Sequence, residues 1–189
     1  MRFPLFLLVA TVFSFGSAQG IVIINVSQVN GDTVFSGSGS LDLTGTTPPI
    51  SGVLGAPGIV EPNLGNFGAD AVGSPSTLDV YSATSNAPTG SGGLTTTNNV
   101  TGDAFGLTSS GVAVIQGYSS NDAIVFTATF SGSTIEDLGI TPGVYTWNLP
   151  SDSVTLNVPA VPEPSMYAAL VGIAIFGFTV KRRISTIRK

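Results

Sequence analysis

The chain of 189 residues contains no cysteine and no histidine, and residues 20–160 contain no lysine or arginine. Without cysteine the fold can form no disulfide, so its core alone has to stabilise it. Without histidine, cysteine or lysine, residues 20–160 cannot contain a Ser-His-Asp, Cys-His or Ser-Lys nucleophile system. Zinc sites built from thiolates or imidazoles are excluded for the same reason. We therefore expect a protein that is not an enzyme, with no catalytic residues, no metal site and no cofactor.

Charges of the two signs are separated along the chain. All six basic residues are terminal: Arg2, Lys181, Arg182, Arg183, Arg188 and Lys189. Residues 20–160 contain ten of the eleven acidic residues, which gives this stretch a net charge of −10 against −5 for the whole chain. A surface this acidic repels phosphate backbones, so we expect no binding to nucleic acid.

Residues 1–18 have the three parts of a secretory signal peptide. Arg2 is a short positive region, residues 5–15 are apolar, and Gly16 and Ala18 place small residues before a cut. This pattern predicts that signal peptidase cuts between Ala18 and Gln19, so that the mature chain begins at Gln19. The alternative, an uncleaved membrane anchor, is disfavoured because the apolar stretch is short for a spanning helix.

The C-terminal end also has three parts. Residues 160–165 are interpreted as a stiff proline-rich stalk, residues 166–180 are apolar, and residues 181–189 form a basic tail. Lysine and arginine beside an apolar segment stay in the cytoplasm, so Lys181, Arg182 and Arg183 are predicted to be a membrane stop signal. As a helix, the apolar run would extend roughly 22 Å against a hydrocarbon core of ~30 Å. It predicts a single transmembrane helix, either held until a processing enzyme acts or kept as a permanent anchor.

Residues 161–165 read Val-Pro-Glu-Pro-Ser and, with the apolar run and the basic cluster, resemble the PEP-CTERM sorting domain of Gram-negative bacteria. In that family the Pro-Glu-Pro motif is recognised by exosortase, a membrane protease-transpeptidase. The resemblance implies that Pro162, Glu163 and Pro164 are the sorting motif and that exosortase is a partner. It also implies export and display at the surface or in the extracellular matrix, without implying a molecular activity.

Three segments of the upstream body resemble a common type of PEP-CTERM protein: residues 102–107, 138–147 and 152–158. They read Gly-Asp-Ala-Phe-Gly-Leu, Leu-Gly-Ile-Thr-Pro-Gly-Val-Tyr-Thr-Trp and Asp-Ser-Val-Thr-Leu-Asn-Val. With them the resemblance spans most of the chain. The link at residues 148–151 is shorter than in such relatives, so we expect a tight final hairpin.

Residues 19–159 are interpreted as one all-β, sandwich-like extracytoplasmic domain. Their composition is rich in Gly, Ser, Thr and Val and poor in the strong helix formers Lys, Glu and Arg. Alternation along the predicted strands indicates which side chains face the core. The sets that share a face are Ile124, Phe126, Ala128 and Phe130; Tyr145, Trp147 and Leu149; and Val154, Leu156 and Val158. The opposite face of the first strand carries Val125, Thr127 and Thr129, so we expect Phe126 and Phe130 in the core.

Local patterns predict the remaining elements. The nearly continuous apolar run at residues 21–26 favours a central strand covered on both faces. Asn-Gly at residues 30–31 predicts a type I′ hairpin turn, and Thr-Pro-Gly at residues 141–143 predicts a type II turn with positive φ at its glycine. Residues 78–81 are a candidate strand, and residues 90–99 are interpreted as a mobile loop because of their Gly and Thr runs.

Two chemistries based on oxygen atoms remain open for the acidic residues. Carbohydrate cleavage needs two carboxylates about 5–10 Å apart, and calcium needs carboxylates together with loop carbonyls. The candidates for a carboxylate pair are Glu61, Asp70, Asp79, Asp103, Asp122, Glu136 and Asp137. The candidates for calcium are Asn121-Asp122 and Glu136-Asp137, and the alternative is that Asp122 and Asp137 cap turns.

Tyr145 and Trp147 could stack on a sugar ring, but aromatic side chains that alternate along a strand belong more often to the core. The sequence as a whole predicts a non-enzymatic exported envelope or extracellular-matrix protein with a signal for exosortase-type processing. The alternative is a carbohydrate-binding or carboxylate-dependent carbohydrate-cleaving surface module.

The expected partners are exosortase, signal peptidase, the inner membrane and extracellular polysaccharide. We expect the C-terminal segment to anchor the protein in the inner membrane before processing. Afterwards the protein is expected at the cell surface or in the extracellular matrix.

Overall fold

The computed structural model of the protein describes residues 20–70 and 76–160, together with Ile173. Within these residues the chain forms fourteen strands, which confirms the all-β class. In chain order they are β1 (Ile21–Val29), β2 (Asp32–Ser40), β3 (Ile50–Leu54), β4 (Gly58–Glu61), β5 (Asn66–Ala69), β6 (Thr77–Ser82), β7 (Thr84–Ser85), β8 (Thr95–Thr97), β9 (Asn99–Gly102), β10 (Phe105–Thr108), β11 (Gly111–Ile115), β12 (Ala123–Phe130), β13 (Gly143–Asn148) and β14 (Ser153–Val158). The predicted signal peptide lies outside the described residues, as does the predicted transmembrane segment apart from Ile173.

The strands form two seven-stranded sheets. Sheet A has the order β7-β13-β14-β1-β2-β12-β9, and sheet B has the order β3-β6-β11-β10-β5-β4-β8. In sheet A, β1 and β14 run parallel, with Ile21 opposite Ser153 and Asn25 opposite Asn157. Because β1 and β14 are the first and last strands, the described domain begins and ends in the middle of sheet A. The parallel pairing places the end of β14 at the side of the sheet away from the start of β1.

Phenylalanine rings hold the two sheets face to face. Phe35 of β2 stacks on Phe67 of β5 with ring centroids 4.8 Å apart. Phe126 of β12 stacks on Phe105 of β10 at 5.1 Å and also lies 5.7 Å from Phe67. Such ring pairs contribute about 0.5–1.5 kcal/mol each beyond the apolar area that they bury. This cluster therefore stabilises the contact between the sheets through side chains of both.

The predicted faces of β12 are confirmed. Phe126 and Phe130 are 1% and 2% exposed, whereas Val125 is 57% exposed. Successive side chains of a strand point to opposite sides, so this difference follows directly from the backbone geometry. The inward sets predicted for β13 and β14 are also buried except Tyr145, which is half-buried at the margin of the core.

The prediction that residues 21–26 are covered on both faces is wrong. Val22, Ile24 and Val26 are buried, but Ile21 and Ile23 are 45% and 41% exposed. β1 is central within sheet A, with β14 and β2 as neighbours. However, sheet B covers only one face of sheet A. Hydrophobicity alone did not distinguish a central position in a sheet from burial on both faces.

The two predicted turns have different outcomes. Asn30 and Gly31 join β1 to β2 with φ values of 53° and 89°, as a type I′ turn requires. Gly143 does not adopt the positive φ that was predicted for a type II turn. It instead begins β13 and lies opposite Val158 of β14, because extending the ladder requires an extended backbone there.

Residues 90–99 are more ordered than predicted. They include β8, which pairs with β4, and an isolated bridge from Gly90 to Ile140. The backbone N–H groups of Ser91 and Gly92 both donate to the carbonyl oxygen of Gly139, at 3.0 and 3.2 Å. The runs of Gly and Thr therefore allow close backbone contacts here, and part of the segment is a strand and not a loop.

The final hairpin is tight, as the short link predicted. Asn148 of β13 lies directly opposite Ser153 of β14. Between them the backbone N–H of Leu149 donates to the carbonyl oxygen of Asp152 at 2.8 Å. The candidate strand at residues 78–81 is confirmed as part of β6.

Candidate functional site

β14 leads the chain directly to the predicted sorting segment. It ends at Val158, and the next two residues, Pro159 and Ala160, are exposed. The sorting residues Pro162, Glu163 and Pro164 lie outside the described residues. The same holds for the stop signal Lys181, Arg182 and Arg183 and for the cleavage residues Ala18 and Gln19. The local geometry at each of these residues stays a prediction.

Most acidic side chains in residues 20–160 accept hydrogen bonds from the protein's own backbone. Seven of the ten carboxylates between residues 20 and 160 accept a hydrogen bond from a backbone N–H: those of Asp32, Asp42, Asp70, Asp79, Asp103, Asp137 and Asp152. A carboxylate that accepts from backbone N–H satisfies groups that a loop would otherwise leave unpaired. Of these seven residues, only Asp137 was predicted from sequence to have such a role. A neighbouring Gly or Ser was a local signal for it at Asp32, Asp103 and Asp152.

Two candidate carboxylates are buried. Asp70, 3% exposed, accepts from the backbone N–H of Ser76 at 2.7 Å and from its hydroxyl at 2.8 Å. Asp79, 8% exposed, accepts from the backbone N–H of Gly117 at 3.2 Å through Oδ2. Within the described residues Oδ1 of Asp79 has no hydrogen-bond partner. Among the described residues, no second carboxylate is hydrogen-bonded to Asp70 or Asp79.

The sheet topology separates two of the candidate carboxylates, Glu61 and Asp79. Glu61 ends β4 and Asp79 lies within β6, and β5, β10 and β11 stand between these strands. Four inter-strand steps correspond to about 19 Å, well beyond the distance that a glycosidase pair needs. Glu61 is engaged locally instead, since Oε2 accepts from the side-chain amide of Asn66 at 3.1 Å. In residues 20–70 and 76–160, no three or more His, Cys, Asp or Glu residues cluster as ligands for a metal ion.

The two calcium candidates differ in how their carboxylates are used. Asp137 accepts from the backbone N–H of Thr134 at 2.9 Å and from its hydroxyl at 2.7 Å. These two bonds hold the pKa of the Asp137 carboxyl below its ordinary value of 3.8, the backbone bond having the larger effect. Asp137 therefore closes a turn, as the alternative to calcium predicted. Asp122 contributes its backbone, because its carbonyl oxygen accepts from the hydroxyl of Tyr118 at 2.6 Å.

The aromatic residues proposed for sugar stacking belong largely to the core. Trp147 is 1% exposed, and its Nε1 donates across the sandwich to the carbonyl oxygen of Thr108 in β10 at 2.6 Å. Tyr145 packs against the core cluster, and its hydroxyl donates to the carbonyl oxygen of Thr141 at 2.9 Å. An indole ring enclosed between two sheets cannot stack on a sugar. The carbohydrate alternative therefore gains no support from Trp147.

The outward side of sheet A brings many polar side chains together on one surface. Three rows of outward-facing positions cross β1, β2 and β12 in register, and together they contain fifteen residues. The rows are Thr146-Thr155-Ile23-Ser38-Val125, Val144-Asn157-Asn25-Ser36-Thr127-Thr101 and Ser27-Val34-Thr129-Asn99. Eleven of these positions are Ser, Thr or Asn, four are Ile or Val, none is charged, and none is buried. We call these fifteen residues the polar face.

Residues 160–183 match the PEP-CTERM protein-sorting motif. The chain carries this sorting signal. No curated protein and no solved structure matches the chain significantly. The motif is consistent with a PEP-CTERM domain-containing exosortase substrate, as the resemblance of the tail implied.

The sorting motif also carries information about location and one partner. It implies recognition by exosortase, a membrane protease, and export with membrane anchoring before processing. Within the described part of the chain, no helix has the length and apolar character needed to cross a membrane.

Proposed function

We propose that the protein is a non-enzymatic, exported envelope or extracellular-matrix component whose C-terminal segment is processed by exosortase. Signal peptidase removes residues 1–18, and residues 166–180 then hold the chain in the inner membrane. After processing, the β domain is displayed at the cell surface or in the extracellular matrix. The observation that carries the proposal is the sorting motif at residues 160–183, which follows the last strand of the described domain.

The contacts of the acidic residues support the non-enzymatic part of the proposal. Four of the seven candidate carboxylates, those of Asp70, Asp79, Asp103 and Asp137, accept hydrogen bonds from backbone N–H groups. Asp103, for example, accepts from the N–H of Val125 at 2.7 Å. The net charge of −10 between residues 20 and 160 also supports the expectation that nucleic acid is not a partner.

The motif is tested by Glu163→Ala in the producing cells. From sequence, the prolines on both sides of Glu163 are expected to favour an extended backbone, which would suit presentation to a protease active site. We expect the variant to be exported but to remain in the inner-membrane fraction at full precursor length. Glu136→Ala is the matched control, because Glu136 is exposed and lies in a loop of the body. It should mature like the wild type.

A second variant separates recognition from anchoring. Deleting residues 181–183 removes three charges that are costly to move across the bilayer. The tail should then slip through the membrane and release unprocessed protein. If Glu163→Ala instead matures and reaches the surface normally, the motif is only a stalk. If the wild type itself stays in the inner membrane at full precursor length, the permanent-anchor alternative is correct.

A further inference from the structure

The polar face is uncharged although the body of the protein is strongly acidic. None of its fifteen positions carries a charge, whereas residues 20–160 together carry −10. Two carboxylates lie at its margins, and both are engaged. Asp32, at the start of β2, accepts from the backbone N–H of Gly132 at 2.7 Å. Asp103, just after β9, accepts from that of Val125 at 2.7 Å.

The hydroxyl groups of this face are also free of internal partners. Within the described residues, none of the eight Ser and Thr hydroxyls of the polar face makes a hydrogen bond to the protein. The side-chain amide of Asn157 donates to Oδ1 of Asn25 at 3.1 Å, which fixes these two amides beside each other. Each hydroxyl can both donate and accept, so the face offers both kinds of group to a partner.

The shape of the face suits an extended partner. Its middle row crosses six neighbouring strands, from Val144 of β13 to Thr101 of β9, which corresponds to about 24 Å. The side chains are short and stand on a paired sheet, so ordering them on binding costs little conformational entropy. Ile23, Val34, Val125 and Val144 add apolar contacts among the polar groups.

We propose that the polar face binds an uncharged polysaccharide. Such a polymer presents hydroxyl groups as donors and acceptors along its length, together with C–H surfaces that the Ile and Val side chains can contact. An anionic polymer would be repelled by the acidic body, and a cationic polymer would find no carboxylate within the three rows. This binding deepens the proposed function and rests on it, because an extracellular polymer is reached only by an exported domain.

The test is cosedimentation of the purified full chain, in detergent, with insoluble cellulose, curdlan and starch. We expect retention on at least one of these uncharged polymers. Combining Asn25→Asp with Ser36→Glu places two charges in the middle row and should reduce the retained affinity at least about ten-fold. Asn25→Asp keeps the oxygen that accepts from Asn157, so the change is in charge rather than shape.

The matched control combines Asn63→Asp with Thr96→Glu, both at exposed positions outside the polar face. It adds the same charge and should bind within about two-fold of the wild type. Thermal unfolding of both double variants checks that each remains folded. Glu163→Ala protein should bind like the wild type, so failure of binding and failure of processing are read separately.

Three outcomes would overturn the proposal. They are absence of retention on all three polymers, equal loss in the control, and unchanged retention after charges are added to the face. Sedimentation velocity adds a fourth test. If the wild type and the control variant are dimers and only the polar-face variant is a monomer, the face binds a second copy of the chain and not a polysaccharide.

Discussion

The inner and outer sides of sheet A carry different kinds of residue, although both belong to the same strands. On the inner side, Phe35, Phe126 and Trp147 are each 1% exposed and contact sheet B. On the outer side, the same strands carry the short, uncharged residues of the polar face. We therefore expect substitutions on the inner side to cost more stability than substitutions on the outer side. The proposed binding surface therefore lies on the side where packing imposes the least constraint.

Phe126→Ala should give the largest difference between the two sides. Phe126 contacts Phe67 and Phe105 of sheet B, so truncation leaves a cavity between the sheets. We expect a loss of about 3–5 kcal/mol in the free energy of unfolding, measured by chemical denaturation.

The control for this substitution is the next residue of the same strand. Val125 is 57% exposed on the polar face, and Val125→Ala should change the free energy of unfolding by less than about 0.5 kcal/mol. Similar losses at the two positions would mean that the faces of β12 are assigned wrongly.

Gly37→Ala should have an intermediate effect. Gly37 lies directly opposite Phe126 in the β2–β12 pairing, and a Cβ atom there would overlap the aromatic ring. The ring is held by its neighbours in sheet B, so we expect a loss of about 1–3 kcal/mol from overpacking, measured in the same way.

Gly93→Ala is the matched control for this overlap. A Cβ atom at Gly93 meets nothing within 4 Å, and its φ is not in the left-handed region. It should be close to neutral. A neutral result at Gly37 as well would show that the core can move aside, which contradicts a rigid inner side.

Asp137→Asn should have the smallest effect and depend on pH. Hydrogen bonds from Thr134 lower the pKa of Asp137 below 3.8, so the charged form is favoured in the folded state. The resulting stabilisation is present above the unfolded pKa of about 4 and is lost as pH falls through the lower folded pKa. The variant should therefore unfold a few degrees earlier than the wild type at neutral pH, by at most about 3 °C. In acid the difference should disappear.

Glu136→Gln provides the comparison for this pH effect. Glu136 is the adjacent carboxylate and is exposed. Thermal scans of Glu136→Gln at neutral pH should follow the wild type, because this side chain accepts no hydrogen bond within the described residues. If the difference between wild type and Asp137→Asn persists unchanged in acid, the turn depends on shape and not on charge.

Much of the local structure could be predicted from sequence, because its causes are local. The alternation of β12 predicted which of its side chains are buried, and Asn30-Gly31 predicted the first hairpin. Errors arose where a long-range partner decided the outcome. Gly143 is extended because Val158 lies opposite it, and residues 90–99 are ordered partly because Gly139 accepts from Ser91 and Gly92.

The candidate site shows the same limit. Sequence indicated Trp147 as a core residue by its alternation, but its bond to Thr108 crosses between sheets and has no local signal. The backbone partners of Asp79 and Asp103 were likewise not predictable, since Gly117 and Val125 lie 38 and 22 residues away.

The sequence by itself determined the separation of charges, the alternation of the strands and the sorting motif, which is a contiguous segment with its own chemistry. Only the tertiary structure decided that the polar residues of six strands form one surface. Strand pairing is non-local: Asn25 and Asn157 are 132 residues apart in the chain and are joined by a hydrogen bond of 3.1 Å. A strand's pattern specifies which side chains share a face, but the register with distant strands determines which faces are continuous.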